Sequence, residues 1–286
     1  MSRRKKTSGE VKARSALSPE AVQGTLLEGQ SLPVLQALGL VTPRGGASAD
    51  AHRKIKQISH FVQQIAPALD DLFERHPEPV LVDAAAGKAY LGLVIYERWI
   101  ARHGRGRLIA IEGRPDLVTR VQGIATELGF DRLEVQPARI AEAEWPERVH
   151  FAMALHACDT ATDEALAMAL AAKADHVALV PCCQAEVARL LKEVDAGPAD
   201  LWRHAWHRRE FGAHLTNVIR ALALQSYGYQ VTVTELAGWE HSLKNELILG
   251  RRVARFHAGA ERQLAQLLEQ IPVRPWLLEH LPPRET

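Results

Sequence analysis

The 286-residue sequence has few cysteines and no long apolar run. It contains three cysteines, of which Cys182 and Cys183 are adjacent, so a framework of disulfide bonds is not expected. No window approaches the roughly 18 consecutive apolar residues that a membrane span requires. The basic N-terminus is not followed by the apolar stretch of a secretory signal. We therefore expect a cytoplasmic protein in a reducing compartment.

The sequence also has almost no net charge, but its charges are unevenly distributed. The formal net charge is +1, yet residues 1–16 carry six lysines or arginines against one acid, and the remainder carries 29 basic and 33 acidic residues. A short basic tail of this kind often contacts the phosphates of nucleic acid. A solvated, disordered leader is an equally good interpretation. The 47% hydrophobic content excludes a wholly disordered chain.

Apolar residues recur at helical spacing before residue 76. The spacing predicts a long amphipathic helix over residues 50–75, with an apolar stripe of Ile55, Ile58, Phe61, Val62, Ile65 and Leu69. Lys54 and Lys56 lie off this stripe. We predict four regions along the chain, namely a disordered basic tail, an N-terminal helical extension, a main α/β domain and a C-terminal helical extension, at residues 1–17, 18–76, 77–252 and 253–286.

From residue 77 onwards, short apolar runs alternate with helical segments. Strands are predicted at residues 79–85, 107–113, 133–136, 150–157, 176–183, 229–236 and 246–252. The helices between them are predicted at residues 89–103, 114–129, 162–172, 184–195 and 213–226. This alternation predicts an α/β fold with a mostly parallel sheet and helices on both faces. The last two strands have no helix between them, so we expect them to pair antiparallel at the end of the sheet.

A turn of small residues follows the first predicted strand. Residues 83–89 have the sequence DAAAGKA, and a tight turn there brings backbone N–H groups and a helix N-terminus close to a ligand. The second predicted strand ends in Glu112, where a carboxylate can accept hydrogen bonds from both hydroxyls of a ribose. These features predict a nucleoside-binding crevice, which suits a dinucleotide and S-adenosylmethionine equally well.

Two further segments are more specific, namely ALHACDTATD at residues 154–163 and PCCQ at residues 181–184. With them the chain resembles class I S-adenosylmethionine-dependent methyltransferases. It is most similar to the bacterial branch of a methyltransferase-domain family that includes eukaryotic transfer-RNA ribose methyltransferases. The resemblance spans about residues 30–252. It implies a Rossmann-like, seven-stranded sheet with an antiparallel terminal hairpin, S-adenosylmethionine as cofactor, and methyl transfer as activity.

The resemblance implies a cofactor site formed by Asp83, Ala85, Gly87, Tyr90, Glu112, Gly113 and His156. Asp83 and Gly87 would line the methionine part of the cofactor, and Glu112 would hold the ribose hydroxyls. The family's turn has the pattern Asp-x-Gly-x-Gly-x-Gly, in which Ala85 and Ala89 replace the first and third glycines. This departure motivates the alternative of a cofactor-fold protein that binds RNA or a protein partner without catalysis.

The candidate catalytic residues follow the fourth and fifth predicted strands and are His156, Asp159, Cys182 and Cys183. In this fold the two strands are neighbours, so their carboxyl ends should converge. His156 or Asp159 could accept the proton of the methyl acceptor. Other interpretations are attack of a cysteine thiolate on a base, a zinc site, and burial of the cysteines as small apolar residues. The spacings are not those of ordinary zinc modules, so we predict no metal.

Basic and aromatic residues are interleaved between residues 202 and 209, as Trp202, Arg203, His204, Trp206, His207, Arg208 and Arg209. Guanidinium groups can meet phosphates while rings stack on exposed bases, so this segment and the basic tail predict an RNA partner. A solvated segment anchored by its two tryptophans fits the pattern equally well. We therefore expect a methyltransferase for transfer or ribosomal RNA, with a small molecule or protein side chain as the alternative acceptor.

Overall fold

The strands form one seven-stranded sheet in the order β3-β2-β1-β4-β5-β7-β6. The computed structural model describes residues 17–155, 157, 159–181, 184–236 and 246–284. Neighbouring strands among β1 to β5 are parallel, whereas β7 is antiparallel to both β5 and β6. The predicted fold class is confirmed, including the terminal hairpin. The strands are β1 (Val80–Ala84), β2 (Arg107–Ile111), β3 (Leu133–Gln136), β4 (Phe151–Leu155), β5 (His176–Val180), β6 (Tyr229–Glu235) and β7 (Glu246–Arg252).

Helices precede, separate and follow the strands. They are α1 (Pro19–Gln23), α2 (Leu32–Ala37), α3 (Ala49–Arg75), α4 (Tyr90–Ile95), α5 (Pro115–Leu128), α6 (Thr160–Ala171), α7 (Glu186–Leu190), α8 (Ala205–Ser226), α9 (Ala258–Gln270) and α10 (Trp276–Glu279). A π-helical segment, Tyr96–Ala101, continues α4. Within the part of the chain that the structure describes, no helix combines the length and apolarity needed to cross a membrane.

The start of α8 differs from the prediction. The sequence predicts a helix from residue 213, whereas α8 begins eight residues earlier, at Ala205. Its first turns carry Trp206, His207, Arg208 and Arg209, most of which are exposed, so no apolar stripe marks them as helical. This correction places the second half of the predicted RNA-binding segment on a regular helix, whereas Trp202, Arg203 and His204 precede the helix.

Helix α3 is stabilised by an N-terminal cap and by a buried apolar stripe. The Ser48 side chain accepts a hydrogen bond from the Ala51 N–H at 3.2 Å and caps the helix N-terminus. All six residues of the predicted apolar stripe are buried. This stripe packs on one face of the sheet, where it meets Leu81 of β1 and Phe151 of β4.

Alternate residues along each strand point to opposite faces of the sheet. Leu81 and Phe151 belong to the core beneath α3, α4 and α5, whereas Val82 and Ala152 belong to the core beneath α6 and α8. The strand order reverses between β1 and β4, which is the position where open α/β sheets bind ligands beyond the carboxyl ends of their strands. The fold thus directs attention to the loops that follow β1, β2 and β4.

Candidate functional site

The turn between β1 and α4 has the left-handed backbone of a glycine-rich turn, although alanines occupy two of its three left-handed positions. Ala85, Gly87 and Ala89 all have left-handed conformations, with φ of 58°, 61° and 52°. The Ala86 N–H donates to the Ile111 carbonyl at 2.9 Å and ties the turn to β2. A left-handed residue with a side chain costs roughly 1–2 kcal/mol. The two alanines are therefore strained, because they adopt a backbone conformation that favours glycine.

Asp83 is buried beneath the first turn of α4. Its carboxyl group accepts a hydrogen bond from the Gly92 N–H, and burial raises its pKa to about 7, with a further contribution from the charge of Glu112. Gly92 is needed for this close approach, because a Cβ atom at that position would lie 2.8 Å from the Asp83 Oδ2. Asp83 is therefore a buried acid that can gain or lose a proton near neutral pH.

Glu112 is buried at the end of β2, and its carboxylate is engaged by its own protein. Its Oε2 accepts from the Gly87 N–H at 2.8 Å, and its Oε1 accepts from the Arg114 N–H and Nε, both at 2.9 Å. Burial acts to raise the pKa of Glu112, but the hydrogen bonds from Arg114 and Gly87 outweigh it and lower the pKa. The exposed Arg114 side chain covers a carboxylate that the sequence analysis assigns to ribose.

Two adjoining cavities open at this edge of the sheet. The larger has a volume of about 490 Å³, and its lining includes Glu112, Gly113, Ala138, Ile140 and Thr160. The smaller has a volume of about 170 Å³, and its lining includes Lys54, Asp83, Gly87, Tyr90 and Leu155. Ala85 and Arg114 line both cavities. Six of the seven predicted cofactor residues therefore surround one crevice, and the seventh, His156, lies outside the described residues.

The Asp159 carboxylate connects the loop after β4 to the start of α7. Its Oδ1 accepts from the Ala185 N–H at 3.1 Å and from the Glu186 N–H at 3.3 Å, and its Oδ2 lies 3.4 Å from the Arg189 Nη2. Asp159 itself has a φ of 50° and a ψ of −122°. Both carboxylate oxygens of Asp159 thus contact the segment that begins α7, and its predicted role as a proton acceptor stays a prediction.

A buried polar network lies behind Asp159. The Arg220 guanidinium, 1% exposed, makes a bidentate ion pair with Asp163, with both N–O distances at 2.7 Å. It also donates to the Asp159 carbonyl at 3.2 Å and to the Asn217 Oδ1 at 3.1 Å. Asn217 in turn accepts from the Gln184 Nε2 at 2.8 Å. Arg220 therefore joins the loops after β4 and β5 to α8.

The remaining predicted catalytic residues are beyond what the structure describes. His156, Cys182 and Cys183 all lie outside the described residues. Their neighbours converge as expected, because β4 and β5 pair in parallel up to Leu155 and Val180. The roles predicted for the histidine and the cysteines stay predictions.

The interleaved basic and aromatic segment divides into a buried and an exposed part. Trp202 is buried, its Nε1 donates to the Val194 carbonyl at 3.1 Å, and its ring stacks on Phe211. Trp206 is 61% exposed, and the Arg209 guanidinium lies 4.2 Å from its ring centroid. Trp202 is thus an anchor of the fold, whereas Trp206 and Arg209 present a ring and a cation to solvent.

A separate polar cluster lies at the opposite edge of the sheet. His76, His150 and Asp175 offer three possible metal-ligand atoms within 4.8 Å of one another. However, the Val80 N–H donates to the His150 Nδ1 at 3.0 Å, which puts the proton of the neutral ring on Nε2. Burial lowers the pKa of His150 to about 4, and His76 adds to this effect. In this arrangement His150 offers a metal no free ring nitrogen, and the Asp175 carboxylate is already paired with Arg148 at 2.5 Å.

Three residues at the site, Lys54, Arg114 and Arg220, are not among those that the sequence predicts. Lys54 borders the apolar stripe of α3, and Arg220 lies on the buried face of α8. A cation on or beside a predicted apolar face is the signal that could have identified both residues. Arg114 carries no such signal, because its contact with Glu112 depends on the shape of the loop after β2.

Residues 53–190 match the model of a family described as a methyltransferase domain, a segment just under half of the chain. No curated protein sequence matches the chain. The chain is similar to an rRNA methylase structure from Streptococcus thermophilus, with 14% identity, coverage of 66% of this chain and 96% of that chain, and a TM-score of 0.43. It is also similar to a methyltransferase from Podospora anserina bound to S-adenosylhomocysteine, with 13% identity, coverage of 79% and 90%, and a TM-score of 0.45. A geranyl diphosphate methyltransferase has 16% identity, coverage of 72% and 81%, and a TM-score of 0.46.

Proposed function

We propose that this protein is a class I S-adenosylmethionine-dependent methyltransferase and that it methylates RNA. The observation that carries the proposal is the pair of adjoining cavities around the turn that follows β1. The larger suits a nucleoside, since its lining combines small and apolar side chains with Glu112, and Arg114, Arg139 and Glu164 complete it. The smaller suits an amino acid, since it is lined by charged side chains. S-adenosylmethionine is a nucleoside joined to an amino acid.

The residues present fit this cofactor. The left-handed path of Ala85, Gly87 and Ala89 brings the backbone of the turn to the join between the cavities. Glu112 lies where a ribose needs an acceptor, and Ala138 and Ile140 offer an apolar wall for a purine. Because Arg114 and Gly87 already donate to Glu112, ribose binding requires the exposed Arg114 side chain to withdraw.

Glu112→Gln is expected to weaken the binding of S-adenosylhomocysteine about 10- to 100-fold. A hydrogen bond to a charged group is worth about 1.5–3 kcal/mol, and the amide would turn a donor towards Gly87 or Arg114. Isothermal titration calorimetry measures the change. Arg114→Ala is the matched control, because it frees the carboxylate and should bind S-adenosylhomocysteine as tightly as the wild type or more tightly. Equal affinity in wild type and Glu112→Gln would mean that the ribose lies elsewhere.

The cofactor supplies a methyl group already activated by the positive sulfur. When bound, it would give this methyl group to an oxygen or nitrogen of the acceptor, whose proton would pass to a base of the protein. The protein has to align the acceptor and receive this proton. We assign proton acceptance to His156 and the alignment of its loop to Asp159, whose carboxylate already binds Ala185 and Glu186.

The direction of α8 supports an RNA acceptor. Helix α8 leads into β6, which runs parallel to β5, so α8 begins at the carboxyl edge of the parallel strands, where the crevice lies. Asn217 of α8 contacts Gln184, which follows β5. The helix extends 12 residues before Asn217, or about 18 Å at 1.5 Å per residue. Trp206 and Arg209 thus project beyond the crevice, where a bound polynucleotide would pass.

Trp206→Ala is expected to weaken RNA binding about 5- to 100-fold, because base stacking on an aromatic side chain is worth about 1–3 kcal/mol. Trp206→Phe should retain most of the affinity. Arg209→Gln should reduce the slope of the logarithm of the binding constant against the logarithm of the salt concentration by about 1. Filter binding of transfer and ribosomal RNA at several salt concentrations measures both effects. The surface assignment fails if Trp206→Ala binds RNA as the wild type does.

The function itself is tested by two measurements on the wild type. Calorimetric titration with S-adenosylmethionine should show binding, and the absence of binding would overturn the proposal. Incubation with radiolabelled S-adenosylmethionine and RNA from cells that lack the gene should transfer label to RNA. The protein could instead bind the cofactor and label small molecules or protein but not RNA. This result would support methyltransferase activity and reject RNA as the acceptor.

A further inference from the structure

Lys54 belongs to α3, not to the strands and loops that form the crevice, yet it lines the smaller cavity. It lies in the second turn of α3 and lines the same cavity as Asp83, Gly87 and Tyr90. Its Nζ lies 5.6 Å from the centroid of the Tyr90 ring, and the Lys88 Nζ lies 5.9 Å from the same centroid. Two ammonium groups therefore lie near the Tyr90 ring, beside the turn between β1 and α4.

The Lys54 ammonium is half-buried and has no counterion among the described residues. Burial lowers the pKa of Lys54, and the charge of Lys88 adds to the effect. Lys54 makes no ion pair with any residue that the structure describes. The cavity's acid, Asp83, keeps its proton up to a pH of about 7, and the Arg114 guanidinium is paired with Glu112. The cavity consequently has an excess of positive charge.

A half-buried ammonium without a partner is unfavourable, because burial removes part of its hydration. Contact with the Tyr90 ring offsets only a part of this cost, since a cation–π contact is worth about 0.5–2 kcal/mol. A bound anion would compensate fully through a charge-assisted hydrogen bond. The cavity, at about 170 Å³, is small, so the anion must be compact.

A carboxylate is the compact anion that fits this position, and we infer that Lys54 binds the α-carboxylate of the cofactor's amino acid. The inference rests on the proposed function, which puts the nucleoside in the adjoining larger cavity. The amino acid then occupies the cavity that Lys54 lines, and its ammonium group can face Asp83 while its carboxylate faces Lys54. Helix α3 thereby becomes part of the cofactor site rather than a support for the sheet alone.

The test compares two ligands that differ only in this carboxylate, S-adenosylmethionine and decarboxylated S-adenosylmethionine. Calorimetric titration of Lys54→Met should give about 10- to 100-fold weaker binding of the first ligand, as expected for a lost hydrogen bond to a charged group, and unchanged binding of the second. Lys54→Arg should restore most of the difference, because it keeps the charge. Lys56→Met is the matched control, since Lys56 is exposed on the same helix, and it should bind both ligands as the wild type does.

The outcomes separate this inference from the proposed function. Equal weakening of both ligands in Lys54→Met would show a structural role for Lys54 and overturn the inference, and so would unchanged binding of both. Thermal unfolding of Lys54→Met, monitored by circular dichroism, should match the wild type and show that the variant is folded. A wild-type protein that binds neither ligand would overturn the proposed function and the inference together.

Discussion

Replacement of Arg220 by methionine is expected to lower the free energy of unfolding by about 3–5 kcal/mol. The guanidinium is almost fully buried, and its two hydrogen bonds to Asp163 are both 2.7 Å long. Methionine would leave the Asp163 carboxylate buried without a partner, and loss of one member of a buried ion pair typically costs this much. Urea unfolding followed by circular dichroism measures the change.

Two controls make the Arg220 prediction specific. The double variant Arg220→Met with Asp163→Leu should be less destabilised than Arg220→Met alone, because no buried charge remains unpaired. Arg189→Met removes a partner of Asp159 from an exposed ion pair and should cost at most about 1 kcal/mol. A loss below about 1 kcal/mol in Arg220→Met would show that Asp163 finds compensation from another group.

The Arg220 network also bears on the proposed reaction. Arg220 donates to the backbone of Asp159, whose side chain binds the amides at the start of α7. It shares Asn217 with Gln184, which immediately follows Cys183. The chain thus places a rigid ion pair behind two loops that carry predicted catalytic residues. Rigid support of this kind fixes the positions of reacting groups.

Asp83→Asn is expected to remove a pH dependence of stability worth up to about 4 kcal/mol. The folded pKa of Asp83 is about 7, above the ordinary value of 3.8. Between these values the folded protein holds a proton that the unfolded chain releases, so stability falls as the pH rises from about 4 to 7. Each unit of pKa shift corresponds to about 1.4 kcal/mol. The asparagine variant should therefore match the wild type near pH 4 and be the more stable protein at pH 8.

Urea unfolding of wild type and Asp83→Asn at intervals from pH 4 to pH 8 measures this effect. The difference between the two proteins is the useful quantity, because His150 acts in the opposite direction. The folded pKa of His150 is about 4, below the ordinary 6.5, so its contribution is lost as the pH falls towards 4. Asp116→Asn, at an exposed position in α5, is the control and should show no such trend. If the difference in unfolding free energy between wild type and Asp83→Asn did not change with pH, Asp83 would not be protonated in its buried position.

The regular elements of the sheet could be predicted because their sequence patterns are strong. Strands β3 and β7 have the predicted bounds, and α3 differs by one residue at its start. The central parallel strands β4 and β5 are buried and consist of nearly continuous apolar runs, and α3 has a complete apolar stripe. The start of α8 could not be predicted in this way, since its first turns are exposed and carry no stripe.

Sequence patterns alone predict the α/β fold, the turn that follows β1, and the positions of Asp83 and Glu112 at the ends of adjacent strands. These features depend on short-range patterns of apolar, small and acidic residues. The burial and the hydrogen-bond partners of each carboxylate are visible only in the folded chain. Asp83 is buried beneath α4, Glu112 is bound by Gly87 and Arg114, and Asp159 is bound by the start of α7.

The physical reason is that the chemistry of a carboxylate depends on its burial and its hydrogen-bond partners. The Glu112–Gly87 contact joins residues 25 positions apart, and the Asp163–Arg220 ion pair joins residues 57 positions apart. No local pattern encodes these pairings, because each forms only when separate segments pack against the sheet. Lys54 follows the same rule, since α3 brings it to the smaller cavity only in the folded chain.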